Sequence, residues 1–256
     1  MASDSQNSRE TDPQTRLRAP FLKRLAGFIA GRLVPPEHRH VNWLRDPDIA
    51  YFRIGKAANS SIRTLLAQSF DLPQPSGLRP AKNQFWIQQP RVSTLTTAAF
   101  VLHPGARNTW SFSFVRHPVA RLYSCWNNKV VENEELGAQF LRMGITQNMD
   151  FDDFAACVAA TPDHQADIHV RSQASILTWR GRVVPSFVGR VESVEADWET
   201  VRSSVADRTG VDMGALLKRN VRVGAGLEVA DTIAPKTQDL IRRRYAEDFR
   251  LFYADL

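Results

Sequence analysis

Two stretches of the chain place cationic side chains and hydroxyl groups directly after strand-like runs. The first, FRIGKAANSS, occupies residues 52–61 and leads into a helix-like pattern. Ser60, Ser61 and the free N–H groups at a helix start can donate hydrogen bonds to an anion, and Lys56 adds a positive charge. This pattern predicts an anion-binding turn, although small residues followed by Asn-Ser-Ser are also typical of an ordinary helix cap.

This first stretch lacks two residues that a magnesium-dependent phosphate loop requires. Such a loop has a glycine five residues before its Gly-Lys pair and a Ser or Thr after the lysine. Here those positions hold Ala50 and Ala57. The sequence therefore disfavours an ATPase, a GTPase or a divergent kinase, and it favours an anion that binds without metal.

The second stretch, FSFVRHPVARLYSCW, occupies residues 112–126 and repeats the order of strand, basic turn and helix. Arg121 and Ser124 are three residues apart and share a helical face, and Arg116 precedes that helix. An arginine fork with a hydroxyl group is a good phosphate ligand. The alternative is a surface network of salt bridges.

The elements that must position these residues are short strands alternating with helices. Strands are predicted at 49–54, 98–102, 109–115 and 186–192. Helices are predicted at 59–70, from Pro118, after residue 192 and from about residue 236. Residues 32–47 and 71–80 have the composition of connections. The alternation predicts an α/β fold of three layers, with a mainly parallel central sheet flanked by helices and ligands bound beyond the carboxyl ends of the strands.

The composition alone does not decide whether the protein has an anionic binding partner. The chain has 256 residues, a formal net charge of +6 and a pI of about 9.7. This balance fits either a solvated basic surface or an anionic partner. Cys125 and Cys157 are too few for a disulfide scaffold and form no zinc motif, so a reducing compartment fits, with one bridge left open.

The N-terminal region differs in composition from the rest of the chain. Residues 1–20 are polar and predicted to be disordered. Residues 21–34 have the pattern of an amphipathic helix, either on a membrane surface or packed on protein, and a linker follows to residue 48. No apolar run is long enough to span a membrane. We therefore expect a soluble, cytoplasmic protein with one main folded domain over 49–256 and possible peripheral membrane contact.

Together the two stretches resemble motifs of sulfotransferases that use 3′-phosphoadenosine-5′-phosphosulfate (PAPS). The likeness is to the carbohydrate branch that includes chondroitin 4-sulfotransferases and heparan 2-O-sulfotransferases. The segments of this chain that resemble the motifs of that branch are RIGKAANSS, FVRHPVARLYS, FVGRVESVEAD (187–197) and RRRYAEDFRLF (242–252). One departure is Gly55, where the branch usually has proline, because glycine loosens the turn. The resemblance implies the P-loop-NTPase-like sulfotransferase fold.

The resemblance also implies roles for individual residues. Arg116 and Ser124 would bind the 3′-phosphate of PAPS, and Arg121 would lie behind them or pair with an acid. The 5′-phosphosulfate would be bound by residues of the first motif, namely Lys56, Ala57, Ala58, Asn59, Ser60 and Ser61. Lys56 would also be catalytic, because it stabilises the charge that develops on the leaving phosphate oxygen.

A base must accept the proton of the acceptor hydroxyl, and histidine is the usual residue type. By resemblance there are two candidates. His103 precedes the second motif, and His169 lies in a segment like the D-x-H-x-x-x-Q of bacterial relatives. A carboxylate base, or histidines that only form hydrogen bonds, remain as alternatives.

The expected reaction is therefore transfer of the sulfuryl group from PAPS to a hydroxyl of a carbohydrate or related acceptor, in line and without metal. The alternative is a non-catalytic nucleotide-binding or membrane-peripheral protein with the same fold. No motif supports nucleic-acid binding. The acceptor's identity and the oligomeric state stay open.

Overall fold

The structure, a computed structural model, describes residues 34–216 and 232–255. The predicted disordered tail (1–20) and nearly all of the amphipathic segment (21–34) lie outside the described residues. None of the helices within the described ranges has the length and hydrophobicity needed to cross a bilayer.

A five-stranded sheet forms the centre, with the spatial order β3-β1-β2-β4-β7. Its strands are β1 (Val41–Leu44), β2 (Ile49–Phe52), β3 (Val92–Leu95), β4 (Trp110–Val115) and β7 (Phe187–Arg190). β2 pairs in parallel with β4, and β4 with β7. β1 runs antiparallel to both β2 and β3, so it alone opposes the direction of the other four. A separate hairpin joins β5 (Thr178–Trp179) and β6 (Arg182–Val183).

The other regular elements of the described structure are mainly helices. They are α1 (Asn59–Ser69), α2 (Asn83–Ile87), α3 (Thr97–Leu102), α4 (Pro118–Trp126), α5 (Ala138–Arg142), α6 (Phe151–Ala160), α7 (Gln173–Leu177), α8 (Val194–Thr209), α9 (Pro235–Arg244) and α10 (Ala246–Phe252). Three short 3₁₀ turns occupy Pro36–His38, Pro104–Ala106 and Val191–Ser193. A π-helical turn, Asn127–Val131, directly continues α4.

The sheet buries both faces, which explains its strongly apolar strands. On one face, α1, α2 and α8 pack against side chains such as Tyr51, Phe112 and Phe114. On the other, α3, α7 and α10 cover residues that include Phe52 and Val115. A third cluster joins α4, α5, α6 and α9 beside the sheet. The predicted three-layer α/β class is confirmed.

The prediction of a connection over 32–47 is wrong for β1, which is a fully buried inner strand. Asn42, buried within it, breaks the apolar run that normally identifies such a strand. The residues that flank the strand, His40 and Arg45, are also polar, so no long apolar run marks β1 in the sequence. The predicted loop at 71–80 is confirmed, since those residues form only turns and irregular structure.

Two further predictions need correction. Residues 98–102 lie in α3 rather than in a strand, because the Thr96 side chain caps the helix by accepting a hydrogen bond from the Ala99 N–H at 3.1 Å. A short apolar run cannot by itself separate strand from buried helix. The single helix predicted from about residue 236 is two helices, α9 and α10, which meet at Tyr245 with φ −113° and ψ 28°.

Gly189 provides a test of how tightly β7 packs on β4. It pairs with Phe114, and a Cβ added at Gly189 would lie 2.7 Å from a Phe114 ring atom and 3.0 Å from the Asp197 Cβ. We expect Gly189→Ala to lower the free energy of unfolding by about 1–3 kcal/mol, as overpacking does. Urea denaturation measures the change.

The matched control is Gly137→Ala, at an exposed helix start where the nearest atom to the new Cβ is 3.9 Å away. This control should change the urea midpoint much less. Equal midpoints for the two variants would contradict the close approach of β4 and β7 at this position.

Candidate active site

A pocket of about 520 Å³ opens beyond the carboxyl ends of β2 and β4. Its volume is within the range usual for cofactor sites. The structure brings together most of the residues singled out in the sequence, and the pocket is lined by Lys56, Ala58, Asn59, Ser60, Ser61, Arg116, Ser124 and His169. Ala57 is fully buried and does not line it.

The turn that carries Lys56 has an unusual backbone. Lys56 and Ala58 have φ values of 67° and 54°, in the left-handed region that side chains with a Cβ rarely adopt. Strain of this kind persists only when surrounding contacts impose it, and it is common at ligand-binding turns. The turn holds Lys56 at the pocket wall, where its Nζ donates a 2.8 Å hydrogen bond to Asn128 Oδ1.

Helix α1 begins inside the pocket. Ala58 is its N-cap and offers no side-chain hydrogen bond to the first turn. The first N–H groups of this 11-residue helix therefore keep their capacity to bind a ligand, beside Ser60 and Ser61. The positive end of the helix dipole favours an anion at this place.

Arg116 follows β4 and is fixed through its main chain. Its N–H donates to Gln173 Oε1 and its carbonyl accepts from Gln173 Nε2, each at 2.9 Å. Gln173 is in turn bound to the buried carboxylate of Asp248, which accepts the Gln173 and Ala174 N–H groups. Burial raises the pKa of Asp248. The side chain of Arg116 forms no hydrogen bond or ion pair with any described residue, so its guanidinium is available in the pocket.

Burial lowers the pKa values of Lys56 and Arg116, and the charges of Lys129 and Arg116 add to this effect on Lys56. Desolvated cations without a carboxylate partner are costly, and an anionic ligand removes that cost. The electrostatics of the pocket therefore favour a ligand with negative charge.

Arg121 lies beneath the pocket and is 1% exposed. Its Nε donates to the Gly55 carbonyl at 3.0 Å, and its Nη1 donates to the Arg171 carbonyl at 2.9 Å. Arg121 therefore lies behind the pocket lining, and both acceptors of its hydrogen bonds are main-chain carbonyls rather than acids. Arg121 ties the Lys56 turn to the segment that carries His169.

His169 faces the pocket with a defined ring orientation. Its Nδ1 lies 2.7 Å from Asp167 Oδ1, and its main-chain N–H donates to the same oxygen at 2.9 Å. Burial would raise the pKa of Asp167, but the hydrogen bonds from His169 lower it overall. A Cβ added at Gly55 would touch the His169 Cδ2 at 3.4 Å, so this ring edge lies beside the Lys56 turn.

His103 is not brought to the pocket. Its ring packs edge-on against Trp43 with centroids 4.9 Å apart, and its Nδ1 accepts the Gly105 N–H. Trp43 in turn binds Asp48, at the amino end of β2. His103 therefore lies at the opposite end of the sheet from Lys56, because residue 103 ends helix α3 rather than a strand. This geometry argues against His103 as the base.

Sequence reasoning missed part of the pocket lining, which also includes Tyr123, Asn127, Asn128, Lys129 and Glu132. Asn128 is four residues after Ser124, a helical spacing that could have placed it on the same face. The π-helical turn could not be foreseen, and it brings three consecutive polar residues to the pocket.

The fold is that of an α/β protein whose cationic pocket lies at the carboxyl ends of parallel strands, where such proteins bind their ligands. The model of the Sulfotransferase family matches residues 39–254, and the chain belongs to that family. Sulfotransferases move a sulfuryl group from a donor to an acceptor. Neither a curated protein nor a solved structure matches the chain at a significant level.

The carboxylate of Asp163 supports the segment between His169 and Gln173. It accepts hydrogen bonds from the Ser172 N–H at 2.9 Å, from Ser172 Oγ and from Arg244 at 2.6 Å. Burial opposes ionisation, but these bonds lower the pKa of Asp163 below its ordinary value of 3.8. A lowered folded-state pKa stabilises the protein above about pH 4, and this contribution is lost as the pH falls further.

We therefore expect Asp163→Asn to lower the urea midpoint at pH 7 and to reduce the fall in stability between pH 5 and pH 3. Urea titrations at these pH values measure both effects. The control is Asp207→Asn, at an exposed carboxylate with no hydrogen bond among the described residues. An unchanged acid dependence in Asp163→Asn would contradict the proposed role.

Proposed function

We propose that this protein transfers the sulfuryl group of PAPS to a hydroxyl group of a carbohydrate or related acceptor. The observation that carries the proposal is that Lys56 and Arg116, which follow two neighbouring parallel strands, line one pocket with hydroxyl groups beside each. PAPS has anionic groups at the 3′ and 5′ positions of one adenosine, so it needs two separate cationic sites within reach of each other.

The 5′-phosphosulfate fits the turn and the start of α1. Lys56, Ser60, Ser61 and the N–H groups of the first helical turn supply positive charge and donors there. The 3′-phosphate fits Arg116 and Ser124, whose guanidinium and hydroxyl groups can bind it together. Family membership supports sulfuryl transfer, and the motif resemblance supports PAPS as the donor.

In the proposed reaction an acceptor oxygen attacks sulfur in line with the bond to the 5′-phosphate. The electron pair of that bond moves to the phosphate oxygen, where Lys56 stabilises the added negative charge. Lys56 is suited to this role because its hydrogen-bond partner, Asn128, is a neutral amide that leaves the ammonium charge uncompensated.

His169 is the proposed base. Asp167 accepts from Nδ1 and thereby leaves Nε2 as the proton-accepting nitrogen of the neutral ring. An acceptor proton can then pass to Nε2 as the new S–O bond forms. His103 does not take this role, because it does not line the pocket.

A second pocket of about 730 Å³ supports an extended acceptor. It shares Ser60, Ser61 and Ala81 with the first pocket and continues along α1. The rest of its wall is partly polar and includes Thr64 and Gln68. A carbohydrate has hydroxyl groups that such side chains can bind, and this, with the motif resemblance, favours a carbohydrate over a small alcohol.

Donor binding is tested with adenosine 3′,5′-bisphosphate, the product left after sulfuryl transfer. We expect calorimetry without magnesium to detect binding to the native protein. Lys56→Ala and Arg116→Ala should each weaken it about tenfold or more, because each removes a charge-assisted contact to phosphate, typically about 1.5–3 kcal/mol.

The controls are Lys236→Ala and Arg107→Ala, which remove the same charges from exposed positions outside the pocket. They should bind the bisphosphate within about twofold of the native protein. The proposal fails if the native protein does not bind adenosine 3′,5′-bisphosphate and is instead stabilised against heat by magnesium ATP.

The base is tested by transfer from labelled PAPS to a panel of glycans and small alcohols. His169→Ala should reduce transfer by about 10²-fold or more near neutral pH, as loss of a general base does. His103→Ala, at the other end of the sheet, should retain the native rate. Native-like transfer by His169→Ala would exclude His169 as the base.

A further inference from the structure

Lys129 is a third cation of the pocket, and neither the two anion-binding motifs nor the proposed base accounts for it. It lies in the π-helical turn, immediately after Asn128, the residue that binds Lys56. The described residues that line the pocket comprise three cations, Lys56, Arg116 and Lys129, and one carboxylate, Glu132. The pocket therefore has more positive than negative charge.

The carboxylate of Glu132 is hydrogen-bonded to neighbouring side-chain amides. Glu132 accepts hydrogen bonds from Asn127 Nδ2 at 2.6 Å and from Asn128 Nδ2 at 3.3 Å. Lys129, in contrast, forms no hydrogen bond or ion pair with any group in residues 34–216 and 232–255. Its ammonium group is held near the pocket without a counterion from this part of the chain.

Lys129 is linked to Lys56 through its chain neighbour Asn128, whose side chain accepts a hydrogen bond from Lys56. Its positive charge helps to lower the pKa of Lys56 and also that of Asp167, the partner of His169. Lys129 and His169 also line the same pocket as Lys56.

Two lysines that line one partly buried pocket repel each other, and a bound anion removes this cost. The phosphate of the 5′-phosphosulfate provides one negative group, for Lys56. The sulfonate beside it provides a second, on the side where the acceptor and His169 must meet. A second lysine that lines the same pocket as Lys56 and His169 is suited to the oxygens of the sulfonate.

We propose that Lys129 binds the sulfonate oxygens of the donor and stabilises them during transfer, as a further catalytic residue of this site. The inference rests on the proposed function. In the transfer step the bond from sulfur to the 5′-phosphate oxygen breaks and its electron pair stays on that oxygen. The acceptor oxygen bonds to sulfur and its proton passes to His169, while Lys129 remains protonated throughout.

The test compares two nucleotides that differ only in the sulfonate. Calorimetry with PAPS and with adenosine 3′,5′-bisphosphate is performed on the native protein, Lys129→Met and Lys129→Arg. Lys129→Met keeps the apolar stem and loses the charge. It should weaken PAPS binding about tenfold or more while the bisphosphate Kd stays within about threefold. Lys129→Arg, which keeps the charge, should recover most of the PAPS affinity.

A second readout needs no knowledge of the acceptor, because release of sulfate from PAPS to water reports the same bond cleavage. Lys129→Met should slow this release about tenfold or more, and Lys236→Met, an exposed lysine outside the pocket, should not slow it. Thermal unfolding of each variant confirms that it is folded.

The outcomes separate the two proposals. Native-like PAPS affinity and sulfate release in Lys129→Met would overturn the role of Lys129 and leave the proposed function intact. Equal loss of affinity for both nucleotides would also overturn it, because Lys129 would then bind phosphate. Failure of the native protein to bind either nucleotide would reject the proposed function itself.

Discussion

The geometry of the site depends on the hydrogen bonds that the buried guanidinium of Arg121 donates. The guanidinium binds the main-chain carbonyls of Gly55 and Arg171, and so joins the Lys56 turn after β2 to the segment that carries His169. Each charge-assisted hydrogen bond of this kind contributes about 1.5–3 kcal/mol when buried. Because its acceptors are main-chain atoms, the geometry of the two segments is fixed independently of their side chains. Lys56 and His169 are then free to act on a ligand.

A second support fixes the other half of the pocket. The carboxylate of Asp248 in α10 holds Gln173, and Gln173 holds both main-chain polar groups of Arg116. Helix α10 thereby positions a pocket residue without lining the pocket itself. Both supports bind main chain, and no carboxylate of the described residues forms an ion pair with Lys56, Arg116 or Lys129. This division favours a preorganised anion site, which reduces the cost of ordering on binding.

Much of the fold could be predicted, because β2, α1, β4 and α4 have clear periodicity and follow one another closely. The sequence also placed Lys56, Ser60, Arg116 and Ser124 at strand and helix ends, where parallel pairing brings them together. The burial of β1 could not be predicted, since its polar Asn42 is buried by the sheet rather than exposed. The choice of His103 or His169 as the candidate base depended on whether residues 98–102, which precede His103, form a strand or a helix. A short apolar run cannot decide between these two structures. The position of Lys129 in the pocket could not be predicted, because it depends on a π-helical turn that has no recognisable sequence pattern here.

The hydrogen bond between Lys56 and Asn128 has a consequence for the rate of ligand exchange. An anion that approaches Lys56 competes with a neutral amide, so no internal ion pair must be separated before it binds. Asn128 is itself held by Glu132, so the amide stays close by and can rebind the lysine when the anion departs. Such a partner allows Lys56 to exchange between the amide and an anion in both directions, which suits the proposed function, in which one nucleotide leaves before the next one binds.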